Sequence, residues 1–334
     1  MKAKQFADAG KHQEAIEEYK EEIRINPNSI DAHYHLGSSY YYLRMYREAE
    51  RQYKEALEIN PHYAKAYVGL GIIYYSEGLY DGAIEQFKKA IEEDDTLAKA
   101  HLFLGDAYLS KRMIPQAMEE FNYVLRLDPK MPEVYNRLGN TYALLGDHKK
   151  AIGSYKKLIE IEPNYPDAHY FLGTFYIQEE AYDDAIQVLK QEIKRNPGSK
   201  RVLYALGIAY NRNENFVEAI DEFKKVIKLD PNNKEYILGL AEAYSNNENI
   251  NEAKALLDRL ITDFPTYSGP YFLLGWLYDT KLDSQIEAKR YYLKFVELSE
   301  KVNSKDDRVE SIKRRIHEIE SSEYNEKIGD GPNF

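Results

Sequence analysis

The hydrophobic and polar positions of this chain repeat with a period of 34 residues. Tyrosine and alanine keep the period through eight repeats, whereas glycine is replaced once by Ala241 and proline once by Asp95. Four residue types in one register indicate an array of similar structural units rather than one or two globules. The alanine, proline, glycine and tyrosine columns begin at Ala15, Pro27, Gly37 and Tyr40.

Each column has a physical role in a pair of helices. A glycine inside a helix costs about 1 kcal/mol relative to alanine, so its recurrence indicates a backbone that another helix approaches closely. The alanine column predicts the matching small surface on a second helix, and the aromatic residues are predicted to fill the space around that contact. Because proline ends the second helix, one repeat is predicted to be helix, turn, helix, turn.

The segment from Ala168 to Tyr176, Ala-His-Tyr-Phe-Leu-Gly-Thr-Phe-Tyr, followed by Ala185 and Pro197, resembles the tetratricopeptide repeat. The resemblance implies an all-α fold, an α-solenoid in which antiparallel helix pairs form a right-handed superhelix. The superhelix is expected over residues 1–302. Its parts would be a partial repeat at 1–29 and full repeats at 30–63, 64–97, 98–131, 132–165, 166–199, 200–233, 234–267 and 268–302.

A capping helix is predicted at residues 303–322, where the period has ended. Apolar residues at helical spacing form one stripe there, which would cover the exposed core of the last repeat. Ser304 and Asp307 are candidates for capping the start of this helix. The tail, residues 323–334, is predicted to be disordered. The stripe consists of Val309, Ile312, Ile316 and Ile319.

Composition excludes several classes of function. The 45 basic and 56 acidic residues give a net charge of −11, which opposes binding to nucleic-acid phosphates. There is no cysteine, and no run of 18 apolar residues that would insert into a membrane. The amino terminus has no signal-peptide core, so we expect a cytoplasmic protein, or a periplasmic one if a leader has been removed.

No enzyme motif is present in the sequence. Phosphate-binding loops, paired zinc histidines and nucleophile elbows are all missing. His33, His101 and His169 share one repeat position and are predicted to be packing residues, because ligands two repeats apart cannot converge on a metal. We therefore predict no catalytic residue, no metal site and no cofactor.

A partner is expected on the first helices of the repeats. In the family that the chain resembles, positions 2, 5, 9, 12 and 13 of each repeat face a concave groove, and apolar side chains there would mark a binding surface. The alternative at each position is packing between adjacent first helices. The candidate groove residues are Tyr34, Tyr41, Ile72, Tyr75, Leu102, Asn136, Asn140, Tyr170, Ile177, Tyr204, Ile208, Phe272 and Trp276.

Two binding modes known in that family do not match. The clamp for a chaperone's terminal carboxylate needs Lys where Asn136 stands and Asn where Phe171 stands. A ladder that grips a peptide backbone needs asparagine in successive repeats, whereas Asn140 is alone.

The sequence thus predicts a non-enzymatic scaffold that binds a peptide or helical segment of a partner protein in an aromatic groove. One alternative is an assembly factor of the bacterial cell envelope, with a leader or anchor outside this chain. The other is a structural protein that forms homo-oligomers through the amino-terminal half-repeat, where an unpaired second helix would leave apolar surface uncovered.

Overall fold

The computed structural model describes residues 2–302 and 306–329, and this part of the chain contains nineteen helices and no strand. It divides into two compact units, an amino-terminal unit of residues 1–168 and a carboxyl-terminal unit of residues 169–334. The all-α prediction is confirmed.

The amino-terminal unit contains five helix pairs. Each helix packs against the next along the chain, so the pairs are antiparallel hairpins stacked in sequence order. The helices are α1 (Lys2–Asp8), α2 (His12–Ile25), α3 (Ile30–Tyr42), α4 (Tyr46–Ile59), α5 (Ala64–Ser76), α6 (Tyr80–Glu93), α7 (Ala98–Ser110), α8 (Ile114–Leu127), α9 (Pro132–Leu144) and α10 (His148–Ile161).

The carboxyl-terminal unit contains four further pairs and one final helix. Its helices are α11 (Ala168–Gln178), α12 (Tyr182–Arg195), α13 (Lys200–Arg212), α14 (Phe216–Leu229), α15 (Lys234–Asn246), α16 (Ile250–Asp263), α17 (Ser268–Thr280), α18 (Gln285–Lys301) and α19 (Arg308–Gly329).

The glycine column marks a close approach, as predicted, but its partner is not the alanine column alone. A Cβ at Gly105 would lie 2.4 Å from the ring of Phe121, and one at Gly173 would lie 2.6 Å from Leu189. These large residues stand four positions after each alanine. The alanines themselves are fully buried, so a large side chain fills the gap that glycine and alanine leave together.

In several repeats the column tyrosine contacts the second helix of the preceding repeat. The Tyr74 hydroxyl donates to a Glu50 carboxylate oxygen at 3.0 Å. In the carboxyl-terminal unit, the Lys190 ammonium lies 5.2 Å from the ring centroid of Tyr210. A ring with a polar tip suits a site that is apolar at its base and charged at its rim, which explains why tyrosine recurs instead of phenylalanine.

The turn inside each helix pair contains a residue in the left-handed conformation, at the same repeat position in eight of the nine pairs and one residue later, at Asp283, in the last. Its φ angle is 76° at Gly78 and 60° at Glu214. The next backbone N–H reaches back to the carbonyl of the column tyrosine, as from Leu79 to Tyr74 at 2.8 Å. This bond satisfies a helix-end carbonyl and stops the first helix. The residues at this position are Gly10, Arg44, Gly78, Arg112, Gly146, Glu180, Glu214 and Glu248.

The amino-terminal partial repeat consists of a short first helix and a complete second helix. The seven-residue helix α1 packs on α2 and buries Ala3. The second helix is therefore not unpaired, although the short α1 covers only part of the face that an intact first helix would cover.

The capping helix α19 covers α18 through its apolar stripe. All four predicted residues are buried, in one cluster with Tyr271 and Phe295. At the start of α19, the Asp306 carboxylate accepts a hydrogen bond from the Arg308 backbone N–H at 3.0 Å, in the place expected for Asp307. The other predicted cap, Ser304, lies outside the described residues. The helix runs on to Gly329, past the predicted boundary at 322, and the tail residues 330–334 also lie outside the described residues.

Candidate protein-binding surfaces

The exposed side of the first helices forms a wall in each unit, which we call the first-helix wall. In the amino-terminal unit α3 contacts α5 and α5 contacts α7, and in the carboxyl-terminal unit α13, α15 and α17 are neighbours in the same way. A pocket lies in each wall.

The pocket of the amino-terminal unit, here called the tyrosine pocket, has a volume of about 220 Å³. Its back is the Tyr53 ring, which reaches the wall from the second helix α4. Gly69 makes this possible, because a Cβ there would lie 2.5 Å from Tyr53 Cζ. Tyr34, Tyr41, Tyr42, Ser38, Lys65, Val68, Ile72, Leu97 and Lys99 complete the lining.

The tyrosines of this pocket are held in place by one another and by Ser38. The ring centroids of Tyr34 and Tyr53 are 5.7 Å apart. The Tyr53 hydroxyl donates to Ser38 Oγ at 3.2 Å. Burial raises the pKa of Tyr34 and of Tyr53 above the ordinary tyrosine value, so both hydroxyls remain protonated and neutral at physiological pH.

Beyond the tyrosine pocket the wall of the same unit becomes polar. Arg137 Nε donates to Asp106 Oδ1 at 3.1 Å, in an ion pair that connects α9 to α7. Burial raises the pKa of Asp106, and the Arg137 guanidinium opposes that shift. The Asn140 side-chain oxygen accepts from the Tyr155 hydroxyl at 2.8 Å. Asn140 therefore connects the two helices of its own pair, α9 and α10.

The pocket of the carboxyl-terminal unit, here called the tryptophan pocket, has a volume of about 400 Å³. Residues from α13, α15, α17 and the start of α19 line it. Arg308 lies over Phe272, with 4.4 Å between the guanidinium carbon and the ring centroid. The remaining lining residues are Arg212, Leu238, Glu242, Asn246, Gly269, Leu273 and Trp276.

Both arginines of the tryptophan pocket have carboxylate partners. An Arg308 terminal nitrogen lies 2.7 Å from Asp306 Oδ2, and an Arg212 terminal nitrogen lies 3.7 Å from Glu242 Oε1. The pocket therefore combines an apolar floor with neutralised ion pairs at its rim.

The structure distributes the predicted groove residues unevenly. Tyr34, Tyr41 and Ile72 line the tyrosine pocket, and Phe272 and Trp276 line the tryptophan pocket. Tyr75, Asn136, Tyr170, Ile177, Tyr204 and Ile208 are half-buried and Asn140 is exposed, and none of these seven lines either pocket.

One predicted groove residue is wrong. Leu102 is only 3% exposed and belongs to the buried core with Leu104 and Phe121. Its position in the repeat suggested the wall, but the side chain packs inward between neighbouring helices. A partner cannot reach it without unfolding this part of the core.

The column-based prediction missed two large pocket residues that belong to helices other than the first helices. Tyr53 comes from α4, and Arg308 comes from α19. For Tyr53 the sequence did contain a signal, namely the off-register Gly69. Gly239 stands at the same repeat position, where a Cβ would lie 2.8 Å from the Phe223 ring.

The column histidines form hydrogen bonds as well as packing. His101 Nδ1 lies 2.6 Å from a Glu120 carboxylate oxygen, and Nε2 lies 3.1 Å from the Asp95 carbonyl oxygen. His33 has the same arrangement, with Gln52 and the Pro27 carbonyl oxygen as its neighbours. Each ring thus ties its first helix to its second helix and to the preceding turn.

Two searches of the described residues bear on other kinds of site. In residues 2–302 and 306–329, no three His, Asp or Glu side chains come together as a metal centre would require. Over the same ranges, none of the helices combines the length and apolarity needed to cross a bilayer.

Comparison with protein-family models gives matches along most of the chain. Models described as tetratricopeptide repeat match residues 34–98, 74–138, 142–209, 176–236, 210–271 and 269–302, and one described as TPR repeat matches 3–43. One of them covers more than half of the chain by itself. Together with the stacked helix pairs, this shows that the chain belongs to the tetratricopeptide repeat family.

Solved structures agree on the fold. The C-terminal part of a TPR repeat-containing protein from Cytophaga hutchinsonii has a TM-score of 0.57 and 23% identity, covering 71% of this chain and 98% of that one. A tetratricopeptide repeat protein from Parabacteroides merdae has a TM-score of 0.56 and 19% identity, covering 75% and 96%. YrrB, described as a TPR protein with an unusual peptide-binding site, has a TM-score of 0.50 and 24% identity, covering 55% and 95%. A comparison with curated proteins finds no match.

Proposed function

We propose that this protein is a non-catalytic scaffold that binds a peptide or helical segment of a partner protein on its first-helix walls. Tetratricopeptide repeat proteins generally serve protein–protein interaction. The observation that carries the proposal is the tryptophan pocket, where Trp276 and Phe272 are half-buried beside a cavity of about 400 Å³.

Aromatic side chains in such a pocket contribute strongly to binding. They offer a large contact area and lose few rotatable bonds when a ligand immobilises them. The Phe272 ring is fixed from behind by Phe295, with 5.3 Å between the ring centroids, and from above by Arg308. Because the wall is already ordered, a partner segment need not reorganise the pocket to enter it.

The two alternatives have less support. Self-association was predicted from an uncovered amino-terminal helix, and α1 covers part of that surface. A role in cell-envelope assembly depends on sequence outside this chain, and no feature of the two pockets favours it. The cytoplasmic location stays a prediction.

The proposal can be tested by affinity purification from the native host with the full chain as bait. Phe272→Ala with Trp276→Ala should abolish capture of the partner, since each hot-spot residue contributes about 2 kcal/mol or more. Val217→Ala with Leu229→Ala is the matched control, because both residues are exposed and apolar but lie on the second helix α14. Capture that survives in the pocket variant would refute the proposal.

A further inference from the structure

Two lysines of the tyrosine pocket differ from other lysines of the same unit. Lys54 and Lys89 lie on second helices and pair with Glu50 and Glu85, each at 2.7 Å. Lys65 and Lys99 are exposed on the first-helix wall, and no carboxylate of the described residues lies within ion-pair distance of either. In a chain with a net charge of −11, unpaired positive charge at a pocket is a local exception.

The surroundings of the pocket offset this positive charge only in part. No acidic residue lines it. Two carboxylates on adjoining elements accept hydrogen bonds from neutral hydroxyls, Asp31 from Tyr63 at 2.8 Å and Asp94 from Thr96 at 2.6 Å. The Thr96 hydrogen bonds and, to a smaller extent, the Lys65 charge lower the pKa of Asp94, so Asp94 offsets part of the Lys65 charge without forming an ion pair with it. The Lys99 ammonium lies 5.8 Å from the centroid of the Phe103 ring, a contact that leaves its charge exposed.

We propose that the tyrosine pocket binds an acidic segment of the partner, in which aspartate or glutamate side chains flank a bulky apolar side chain. This inference rests on the proposed scaffold function. The carboxylates pair with Lys65 and Lys99, and the apolar side chain enters between the tyrosines and Val68. The volume of about 220 Å³ is below the roughly 300–1,000 Å³ typical of small-molecule sites, which favours one inserted side chain of a larger partner.

Comparison with the tryptophan pocket shows why we place acidic residues of the partner at the tyrosine pocket. Its two arginines already have Glu242 and Asp306 as partners. A carboxylate that entered there would have to compete with these internal pairs, whereas no carboxylate of the described residues lies within ion-pair distance of the two lysines of the tyrosine pocket. Electrostatic complementarity of this kind contributes chiefly to partner choice and association rate.

The test measures fluorescence anisotropy of defined peptides with the full chain. The probe is a labelled twelve-residue peptide that alternates acidic and bulky apolar residues and ends in an amide. Its control carries glutamine and asparagine in place of the acids. At low salt the acidic peptide should bind about tenfold more tightly, and the difference should shrink at about 1 M salt, where charges are screened over about 3 Å.

Variants test whether Lys65 and Lys99 cause the difference in affinity between the two peptides. Lys65→Ala with Lys99→Ala should reduce the affinity for the acidic peptide to that for the amide control, and Lys65→Arg with Lys99→Arg should preserve the difference. Lys54→Ala with Lys89→Ala should change neither affinity, and circular dichroism should show that all variants remain helical.

Several outcomes would overturn this inference. They are equal affinity for the two peptides, no binding of either, or loss of the difference in the Lys54 and Lys89 control. A further peptide keeps glutamine and asparagine but ends in a free carboxylate. If it binds as tightly as the acidic peptide, the pocket recognises a terminal carboxylate rather than side-chain carboxylates. The scaffold function would survive these results if partner capture still required Phe272 and Trp276, so failure of the two proposals can be told apart.

Discussion

The two units use the same repeat but present different chemistry on their first-helix walls. In the amino-terminal unit the pocket consists of tyrosines beside two lysines that have no carboxylate within ion-pair distance in the described part of the chain. In the carboxyl-terminal unit it consists of Trp276 and Phe272 beside two arginines that already have partners. The periodic columns build both walls, so residues between the columns decide what each wall can bind.

Substitutions in the glycine column are expected to have the largest effect on stability, in both units. Gly105→Leu and Gly207→Leu should each overpack one helix pair and lower the free energy of unfolding by about 1 to 3 kcal/mol or more. Trp276 is the only tryptophan and reports on the carboxyl-terminal unit. Its fluorescence transition in urea should therefore shift more for Gly207→Leu than for Gly105→Leu, because repeats depend mainly on their neighbours. Equal shifts would show that the units do not respond separately.

A smaller effect should distinguish the two units by the pH dependence of their stability, through one partly buried aspartate in each. Arg315 lowers the pKa of Asp279, whose side chain is 8% exposed, whereas burial raises the pKa of Asp106. Asp279 therefore stabilises the folded state at pH values above about 4, the pKa of aspartate in the unfolded chain. This stabilisation is lost as the pH falls through the lowered pKa of the folded state. Asp106 has the opposite sign, with stability present below about pH 4 and lost as pH rises through its raised folded pKa.

Substitution should reveal these signs in denaturation curves measured from neutral to acidic pH. Asp279→Asn should cost about 1.5 to 3 kcal/mol at neutral pH, as a hydrogen bond to a charged group does, and less as pH falls below about 4. The cost of Asp106→Asn should instead grow as the solution becomes acidic. Parallel pH profiles for the two variants would contradict this difference.

The smallest effect is expected at the left-handed turns. This position is glycine in three of the five turns of the amino-terminal unit and glutamate in three of the four turns of the carboxyl-terminal unit, whose last turn has Asp283 one residue later instead. Glu214→Gly should stabilise the protein by about 0.5 to 1 kcal/mol, because it relieves a strained backbone and removes a negative charge from a helix carboxyl end. Gly146→Ala should have the reverse sign. A destabilised Glu214→Gly variant in urea denaturation would exclude this account.

Much of the fold follows from the sequence because its columns are physical constraints. Gly105 can stand in a helix only where a neighbour requires the space, and Phe121 is that neighbour. The wall was harder to predict, since the same repeat position is buried at Leu102 and half-buried at Asn136. Tyr53 and Arg308 reach their pockets from other helices, and such contacts depend on packing distances that a linear pattern does not contain.

The paired glycines around single rings have a mechanical consequence. Tyr53 touches both Gly37 and Gly69, and Phe223 touches both Gly207 and Gly239, so one ring is enclosed by two consecutive first helices. Neither ring can move without displacing backbone on both sides. We therefore expect these two junctions to behave as stiff joints, with any flexing confined to junctions such as that at Phe103, where a side chain stands in place of the second glycine.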